Sequence, residues 1–208
     1  GISHNLVYDK RNSKIFPTDG YYLSFFQEFT GLGGNSKYIN HEVKASYYYP
    51  IWEEKDVTLK FAASGGYIFG HSGNNGKGIR IFEHYFMGGD ELRGFKTAGI
   101  GPRDSGSARD SLGGNRYYLF NSELNFPIGL PEEFDITGAL FVDAGNVFGL
   151  DDKTPGIIGK HDGIRASAGA GIVWVTRVGP FRLDWAKPFS KYSYDRTQAF
   201  RFSFSTGF

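Results

Sequence analysis

The sequence contains no cysteine, which excludes a disulfide framework, a thiolate metal site and a cysteine nucleophile. The five histidines show no metal-ligand spacing: His4, His41, His71, His84 and His161. No phosphate-binding loop and no G-x-S-x-G nucleophile elbow is present. We therefore expect no metal, no cofactor and no catalytic residue.

Long apolar runs and unbalanced charge are also absent. No apolar run reaches the ~18 residues that a membrane-spanning helix needs. The net charge is +1 and the basic residues form no patch, which argues against a nucleic-acid partner. No signal peptide precedes Gly1, so we expect either a mature chain or a piece of a longer one.

Aromatic residues and glycine are abundant, with 20 Phe, 13 Tyr and 30 Gly in 208 residues. Nine segments alternate apolar and polar residues with the period of a β-strand. They are residues 6–11, 20–29, 38–49, 56–69, 116–126, 134–148, 164–176, 181–187 and 200–208. An apolar outer face, aromatic residues at strand ends and a polar lumen are typical of a transmembrane β-barrel.

The connections between these segments alternate in length. Short ones span residues 50–55, 127–133 and 178–179, and longer ones span 31–37, 70–115, 149–163 and 189–198. Short turns on one rim and long loops on the other are typical of outer-membrane barrels. A soluble β-sandwich has the same period, but its solvent face favours Lys and Glu, whereas this polar face mixes Ser, Gly, Asn and Tyr. We predict an all-β, antiparallel transmembrane β-barrel, and the pattern alone leaves the sandwich open.

The longest connection, from about residue 70 to 116, lacks strand alternation and has an apolar centre. Arg93 stands in this centre among apolar residues and glycines. An arginine on a loop that folds inward needs carboxylate partners, because an unpaired buried charge is costly. Glu123 and Asp143 lie on the polar faces of neighbouring strands. They are either these partners or solvated charges of the lumen wall.

A set of motifs resembles the BamA-type outer-membrane protein insertase superfamily, in the same order along essentially the whole chain. The loop holds Leu92-Arg93-Gly94-Phe95, similar to the VRGF-type motif of that family. The other motifs are F-P-T-D-G at 16–20, N-S-E-L-N-F-P at 121–127, F-V-D-A-G-N-V-F at 141–148 and G-P-F-R-L-D-W-A-K-P-F at 179–189. The four-residue loop motif alone has little specificity, whereas the ordered set is specific.

The resemblance implies assembly and insertion of client proteins into the cell outer membrane, without covalent chemistry. The implied partners are the lipid bilayer, client outer-membrane proteins and accessory assembly lipoproteins. The resemblance also implies that the loop folds into the lumen and that Arg93 binds Glu123 and Asp143. The alternatives are a translocation barrel of the TamA or two-partner-secretion kind, a small porin, or an outer-membrane enzyme that uses Ser64 or His84.

The last segment carries an aromatic ladder of Phe200, Phe202, Phe204 and Phe208. Any strand that faces lipid has such a ladder. By resemblance, it is also the C-terminal signal through which outer-membrane proteins are recognised. The same resemblance makes it one side of a weak seam, where client strands pair by β-augmentation.

Length is the feature that departs from the family, whose members carry POTRA domains and a barrel of sixteen strands. We interpret residues 1–208 as the C-terminal part of the barrel domain, without POTRA domains. Nine candidate strands make an odd number, whereas bacterial single-chain barrels normally have even ones. Either the first segment stays outside and eight strands close a small barrel, or open edges are completed by a second copy, so that the fragment self-associates.

Overall fold

The structure is a computed structural model that describes residues 1–204 apart from 32, 34–35, 71–78, 107, 151–155, 161–162 and 177–178. Within these residues the strands are β1 (Ile2–Asp9), β2 (Gly20–Thr30), β3 (Tyr38–Trp52), β4 (Val57–Gly70), β5 (Arg103–Asp104), β6 (Arg116–Pro127), β7 (Ile136–Phe148), β8 (Ile157–Ile158), β9 (Arg165–Thr176), β10 (Gly179–Ser190) and β11 (Phe200–Phe204). Three short 3-10 helices span Glu53–Lys55, Ile81–Glu83 and Glu132–Phe134. None of the described helices is long and apolar enough to cross a membrane.

Nine of the strands form one antiparallel sheet, in the order β1-β2-β3-β4-β6-β7-β9-β10-β11. The short strands β5 and β8 pair with each other among the loops. β1 and β11 lie at the two edges, and across the described residues they do not pair, so the sheet stays open. The expectation that eight strands close a small barrel is therefore wrong. β1 belongs to the sheet, since it pairs with β2 from Ile2 opposite Phe29 to Asp9 opposite Tyr22.

All nine predicted segments form strands, although several bounds differ. β1 begins at Ile2 rather than residue 6, and β10 reaches Ser190 rather than residue 187. β10 continues past Pro188 because its register with β9 shifts there, which accommodates a residue without a backbone N–H. The predicted strand start at residue 134 is instead the end of a 3-10 turn, and β7 begins at Ile136.

One face of the sheet is apolar and exposed. Its large side chains are between 42% and 57% exposed at Leu23, Val43, Phe61, Phe120, Val142, Ile172, Leu183 and Phe202. In the described part of the chain no second sheet packs against this face, which rules out the β-sandwich. An exposed band of alternating apolar residues fits contact with the hydrocarbon of a lipid bilayer.

The opposite face is polar and is covered by the long loop between β4 and β6. The loop and two sheet residues form the buried apolar cluster, which consists of Met87, Leu92, Phe95, Ile100, Leu119 and Val147. Because the apolar strand residues point outward, most of this buried cluster comes from the loop. The loop thus folds onto the inner face of the sheet, as predicted.

Candidate functional site

Two glycines shape the tip of the inward loop, residues 88–99. Gly88 has φ 133°, and a Cβ there would lie 2.0 Å from the carbonyl oxygen of Lys96, so a side chain does not fit. Gly89 donates its backbone N–H to the carbonyl oxygen of Phe95 at 3.0 Å and closes the turn. This turn brings Arg93 against the inner face of the sheet.

The guanidinium of Arg93 binds two carboxylates on neighbouring strands. Its Nε and Nη2 donate to the two oxygens of Asp143 on β7, each at 2.7 Å, and its Nη1 donates to Oε2 of Glu123 on β6. The backbone N–H of Arg93 also donates to Asp143 Oδ2, at 3.2 Å. The side chains of Arg93 and Asp143 are 7% and 0% exposed. The contact is therefore a bidentate ion pair from which water is largely excluded.

Three further residues hold this geometry. The Arg93 Cζ atom lies 3.5 Å from the centre of the Phe141 ring, a cation–π contact. Asn121 Nδ2 donates to Asp143 Oδ1 at 2.9 Å and to the carbonyl oxygen of Glu91 at 3.0 Å, and so links strand β7 to the loop. The hydroxyl of Ser167 on β9 donates to the carbonyl oxygen of Arg93. The arginine is thus fixed from both its side chain and its backbone.

Arg93 stays charged in this site. Burial acts to lower the pKa of its guanidinium, but hydrogen bonds to Asp143 and the charges of Asp143 and Glu123 outweigh burial, so the pKa lies above its ordinary value. A permanently charged, doubly paired guanidinium can anchor a loop, and it offers no group for proton transfer.

Two residues of the site were not predicted, Arg182 and Asp184 of β10. Arg182 Nη1 and Nη2 donate to Oε1 and Oε2 of Glu123 at 3.0 and 2.8 Å, and its Nε donates to Asp184 Oδ2 at 2.7 Å. Glu123 is therefore shared between two arginines. In the alternation of residues 181–187, Arg182 and Asp184 fall on the same polar face, and this pattern is the available indication of their role.

The other residues of the loop motif lie beside the cluster. Leu92 and Phe95 are fully buried in the apolar core. Gly94 has φ 88°, and a Cβ there would lie 3.1 Å from the Cβ of Ser167 and 3.2 Å from the Pro188 ring. The loop motif thus combines two apolar anchors, one ion pair and one close backbone approach.

The structure places the predicted residues of the last strand elsewhere. Phe200, Phe202 and Phe204 lie on the exposed apolar face and do not touch the Arg93 cluster. Phe208 lies outside the described residues. A recognition signal and a client seam on this strand stay predictions.

Ser64 and His84 are not brought together. The Nδ1–H of His84 donates to the carbonyl oxygen of Leu112 at 2.8 Å, whereas Ser64 lies within β4, opposite Lys44 and Leu119. Across the described chain no hydrogen bond joins the two side chains, and no group of three His, Asp or Glu could hold a metal ion.

Comparison with known proteins assigns this fold and loop to a family. A sequence model of the Omp85 superfamily domain matches residues 1–208. The chain belongs to the Omp85 superfamily. The expected family resemblance is therefore confirmed.

Relatives of this Omp85 chain carry names of two assembly systems. It is 33% identical to the outer membrane protein assembly factor BamA of Neorickettsia risticii, over 100% of this chain and 27% of that protein. It is 29% identical to a SAM50-like protein of Schizosaccharomyces pombe, over 90% of this chain and 40% of that protein. The chain thus spans well under half the length of these relatives.

A solved structure agrees with the fold. The crystal structure of BamA from Haemophilus ducreyi lacking POTRA domains 1-3 matches with a TM-score of 0.81 and 26% identity, over 96% of this chain and 41% of that chain. The antiparallel barrel architecture and the outer-membrane location of this Omp85 chain are thereby confirmed. The relatives' family is one of non-enzymatic assembly factors.

Proposed function

We propose that this chain works in the assembly of other β-barrel proteins into the outer membrane, as part of a BamA-like insertase. The observation that carries the proposal is the last strand. β11 pairs with β10 alone among the described residues, so one edge of its backbone has no strand partner there, and this is the edge that we propose receives a client strand. An open strand edge binds an extended chain through main-chain hydrogen bonds, without any covalent step.

The Arg93 cluster has a mechanical role in this proposal. It anchors the long loop on the inner face, where Leu92 and Phe95 fill the space beneath it. Together, the site residues hold the loop against the sheet: Leu92, Arg93, Gly94, Phe95, Glu123 and Asp143. We propose that this role is non-enzymatic, since the arginines and carboxylates of the cluster are paired with each other.

Two of the proposed partners follow from the surfaces: the exposed apolar face contacts lipid, and the edge of β11 contacts a client outer-membrane protein. Accessory assembly lipoproteins are proposed from the family resemblance alone. We also propose that isolated copies of this segment self-associate through β1 and β11. In the longer protein, residues 1–208 form the C-terminal part of the barrel domain.

The relatives' names favour a protein-assembly function over that of a translocation barrel. Two of the relatives described above are BamA and a SAM50-like protein, and neither is a secretion barrel. A small porin is disfavoured because the docked loop covers the inner face. An enzyme that uses Ser64 and His84 is disfavoured because, among the described residues, no hydrogen bond joins these side chains and His84 is bound to the Leu112 carbonyl oxygen.

Reconstitution of the full-length protein in lipid vesicles tests the proposal. An unfolded client barrel is added, and its folding is followed by heat-modifiable mobility on a gel. We expect folding several-fold faster than in empty vesicles, and a folding rate that differs from wild type in the Arg93→Ala variant but not in Lys96→Ala, an exposed position in the same loop. Equal folding in loaded and empty vesicles, or transport of a soluble substrate without client insertion, would contradict assembly.

A further inference from the structure

The tip of the inward loop also contacts the last strand, through residues outside the Arg93 cluster. Asp90 lies at the tip and Arg201 is the second residue of β11. Arg201 Nε donates to Asp90 Oδ1 at 2.6 Å, and its Nη2 donates to Asp90 Oδ2 at 3.2 Å. The same Nη2 donates to Thr97 Oγ1 at 3.4 Å. One guanidinium thus joins both ends of the tip to the start of the edge strand.

The loop also pairs through its backbone with the segment that leads into β11. Phe95 and Thr197 are antiparallel bridge partners. Backbone hydrogen bonds run on both sides of this bridge, from Lys96 N–H to the Arg196 oxygen at 2.9 Å, from Gln198 N–H to the Gly94 oxygen at 2.9 Å and from Arg196 N–H to the Gly99 oxygen at 2.8 Å. The loop therefore acts as a short extra strand beside residues 196–198.

Among the described residues, which end at 204, β11 pairs with β10 over five positions, from Phe181 opposite Phe204 to Trp185 opposite Phe200. Just before the strand, Ala186 N–H donates to the Ala199 oxygen at 2.8 Å. The phenylalanine side chains of β11 point to the exposed face. Within the described residues, the inner side of its start is held by the loop tip, so docking of the loop and position of the edge strand are physically linked.

We propose that the docked loop is a latch on the last strand, and that the edge of β11 opens to a client strand only after the loop tip releases Arg201 and residues 196–198. The last step rests on the proposed function, because the incoming strand is that of a client protein. An edge strand pinned at its start cannot peel from β10, and release of the pin frees it without disturbing the β9–β10 ladder.

Amide hydrogen exchange of residues 200–204 in the full-length protein tests the latch without any client. Asp90→Asn and Arg201→Gln each remove one charge of the pair, and we expect about three- to tenfold faster exchange, because a charge-assisted contact stabilises the closed state by that factor. The double variant Asp90→Arg, Arg201→Asp restores opposite charges, and exchange should return toward the wild-type rate.

A matched control exists at the other edge of the sheet. Asp9 forms a similar ion pair with Arg11, at 2.8 Å, and Asp9→Asn should leave exchange of residues 200–204 unchanged. Exchange that is unchanged in both Asp90→Asn and Arg201→Gln would overturn the latch. Exchange that rises equally in Asp9→Asn would overturn it too, because the effect would then be a general loosening of the sheet.

A reversible crosslink tests the release step. The chain has no cysteine, so Lys96→Cys with Arg196→Cys introduces one disulfide between segments that already pair around Phe95 and Thr197. Antiparallel partners fall near the Cα separation of about 4.4–6.8 Å that a disulfide spans. We expect at least tenfold slower client assembly by the oxidised double variant than by the same protein after reduction, whereas oxidation should not change the assembly rate of either single cysteine variant.

The outcomes separate the two proposals. Equal assembly by the oxidised and reduced double variant would overturn the latch. Absence of assembly by the wild-type protein would count against the proposed function, while the hydrogen-exchange result would still decide the link between the loop tip and β11.

Discussion

At the scale of single residues, the inner face gathers two guanidinium groups and three carboxylates into one chain of ion pairs. Arg93 is bound to Asp143 and Glu123, and Arg182 is bound to Glu123 and Asp184. Each buried charge is compensated by a neighbour. The energetic penalty therefore falls on any change that removes one group and leaves its partner behind.

Arg93→Ala should release the loop. The change leaves Asp143 buried without its bidentate partner, which costs about 3–5 kcal/mol in a dry site and less where lumen water reaches the carboxylate. We expect faster protease cleavage between residues 88 and 101 in detergent, while the protein keeps its heat-modifiable mobility. Lys96→Ala is the control. Unchanged cleavage in Arg93→Ala would show that docking does not depend on this ion pair.

Arg182→Ala should loosen the loop by a smaller amount. Arg182 is partly exposed and holds Glu123 rather than the loop itself, so we expect a loss of about 1–3 kcal/mol of docking free energy. Because both arginines bind Glu123, the double variant with Arg93→Ala should cost less than the sum of the single changes. Cleavage rates of the four proteins give the coupling. Strict additivity would mean that the two arginines act independently, and Arg116→Ala serves as a control outside the cluster.

At the scale of elements, the shape of the loop tip depends on backbone conformation. Gly88→Ala should prevent docking, because a Cβ would meet the Lys96 carbonyl oxygen at 2.0 Å and the residue has φ 133°. Gly33 has a similar φ of 141°, but a Cβ there meets nothing within 4 Å. Gly33→Ala therefore has the free-energy cost of a positive φ without a steric clash. Protease cleavage of residues 88–101 should accelerate in Gly88→Ala and stay near wild type in Gly33→Ala.

Equal cleavage in the two glycine variants would contradict this account. It would mean that the effect does not come from the contact between a Cβ at residue 88 and the Lys96 carbonyl oxygen. A loop that still docks in both variants would show that the tip can rearrange around a methyl group.

The sheet strands were predictable because each apolar side chain has to face the same way. The period-2 pattern is local, so β3, β4 and β9 could be read from their own residues. The end of β10 was predicted too early, at residue 187, because Pro188 normally ends a strand. The register shift that accommodates this proline has no indication in the local sequence. The link from Arg182 to Glu123 and that from Arg201 to Asp90 could not be predicted, because they join residues 59 and 111 positions apart.

The resemblance to a family supplied what the pattern alone did not. From the alternation, Glu123 and Asp143 were equally acceptable as solvated charges. The motif around Arg93 turned them into expected partners, and the structure brings these three side chains into contact. Arg182 falls on the polar face in the alternation, but no motif assigns it a partner.

At the scale of the whole molecule, the apolar side chains of the sheet face outward and the polar ones face the loop. Val142→Arg places a charge on the outer face, where Val142 is 48% exposed. Such a change costs about 2–4 kcal/mol near the middle of a bilayer and little outside one. We expect a lower folded yield in vesicles than Val142→Ile gives, and similar yields of the two variants in detergent. Equal yields in vesicles would place Val142 away from lipid.

The far-reaching contacts of the loop have a consequence for the order of events during this chain's own biogenesis. Arg93 cannot dock until β6 and β7 lie side by side, and Asp90 has no partner until β11 has joined β10. Closing such distant contacts is slow compared with forming neighbouring hairpins. Loop docking is then a late step. The time at which residues around Arg93 become resistant to protease therefore reports when β6 and β7 have paired.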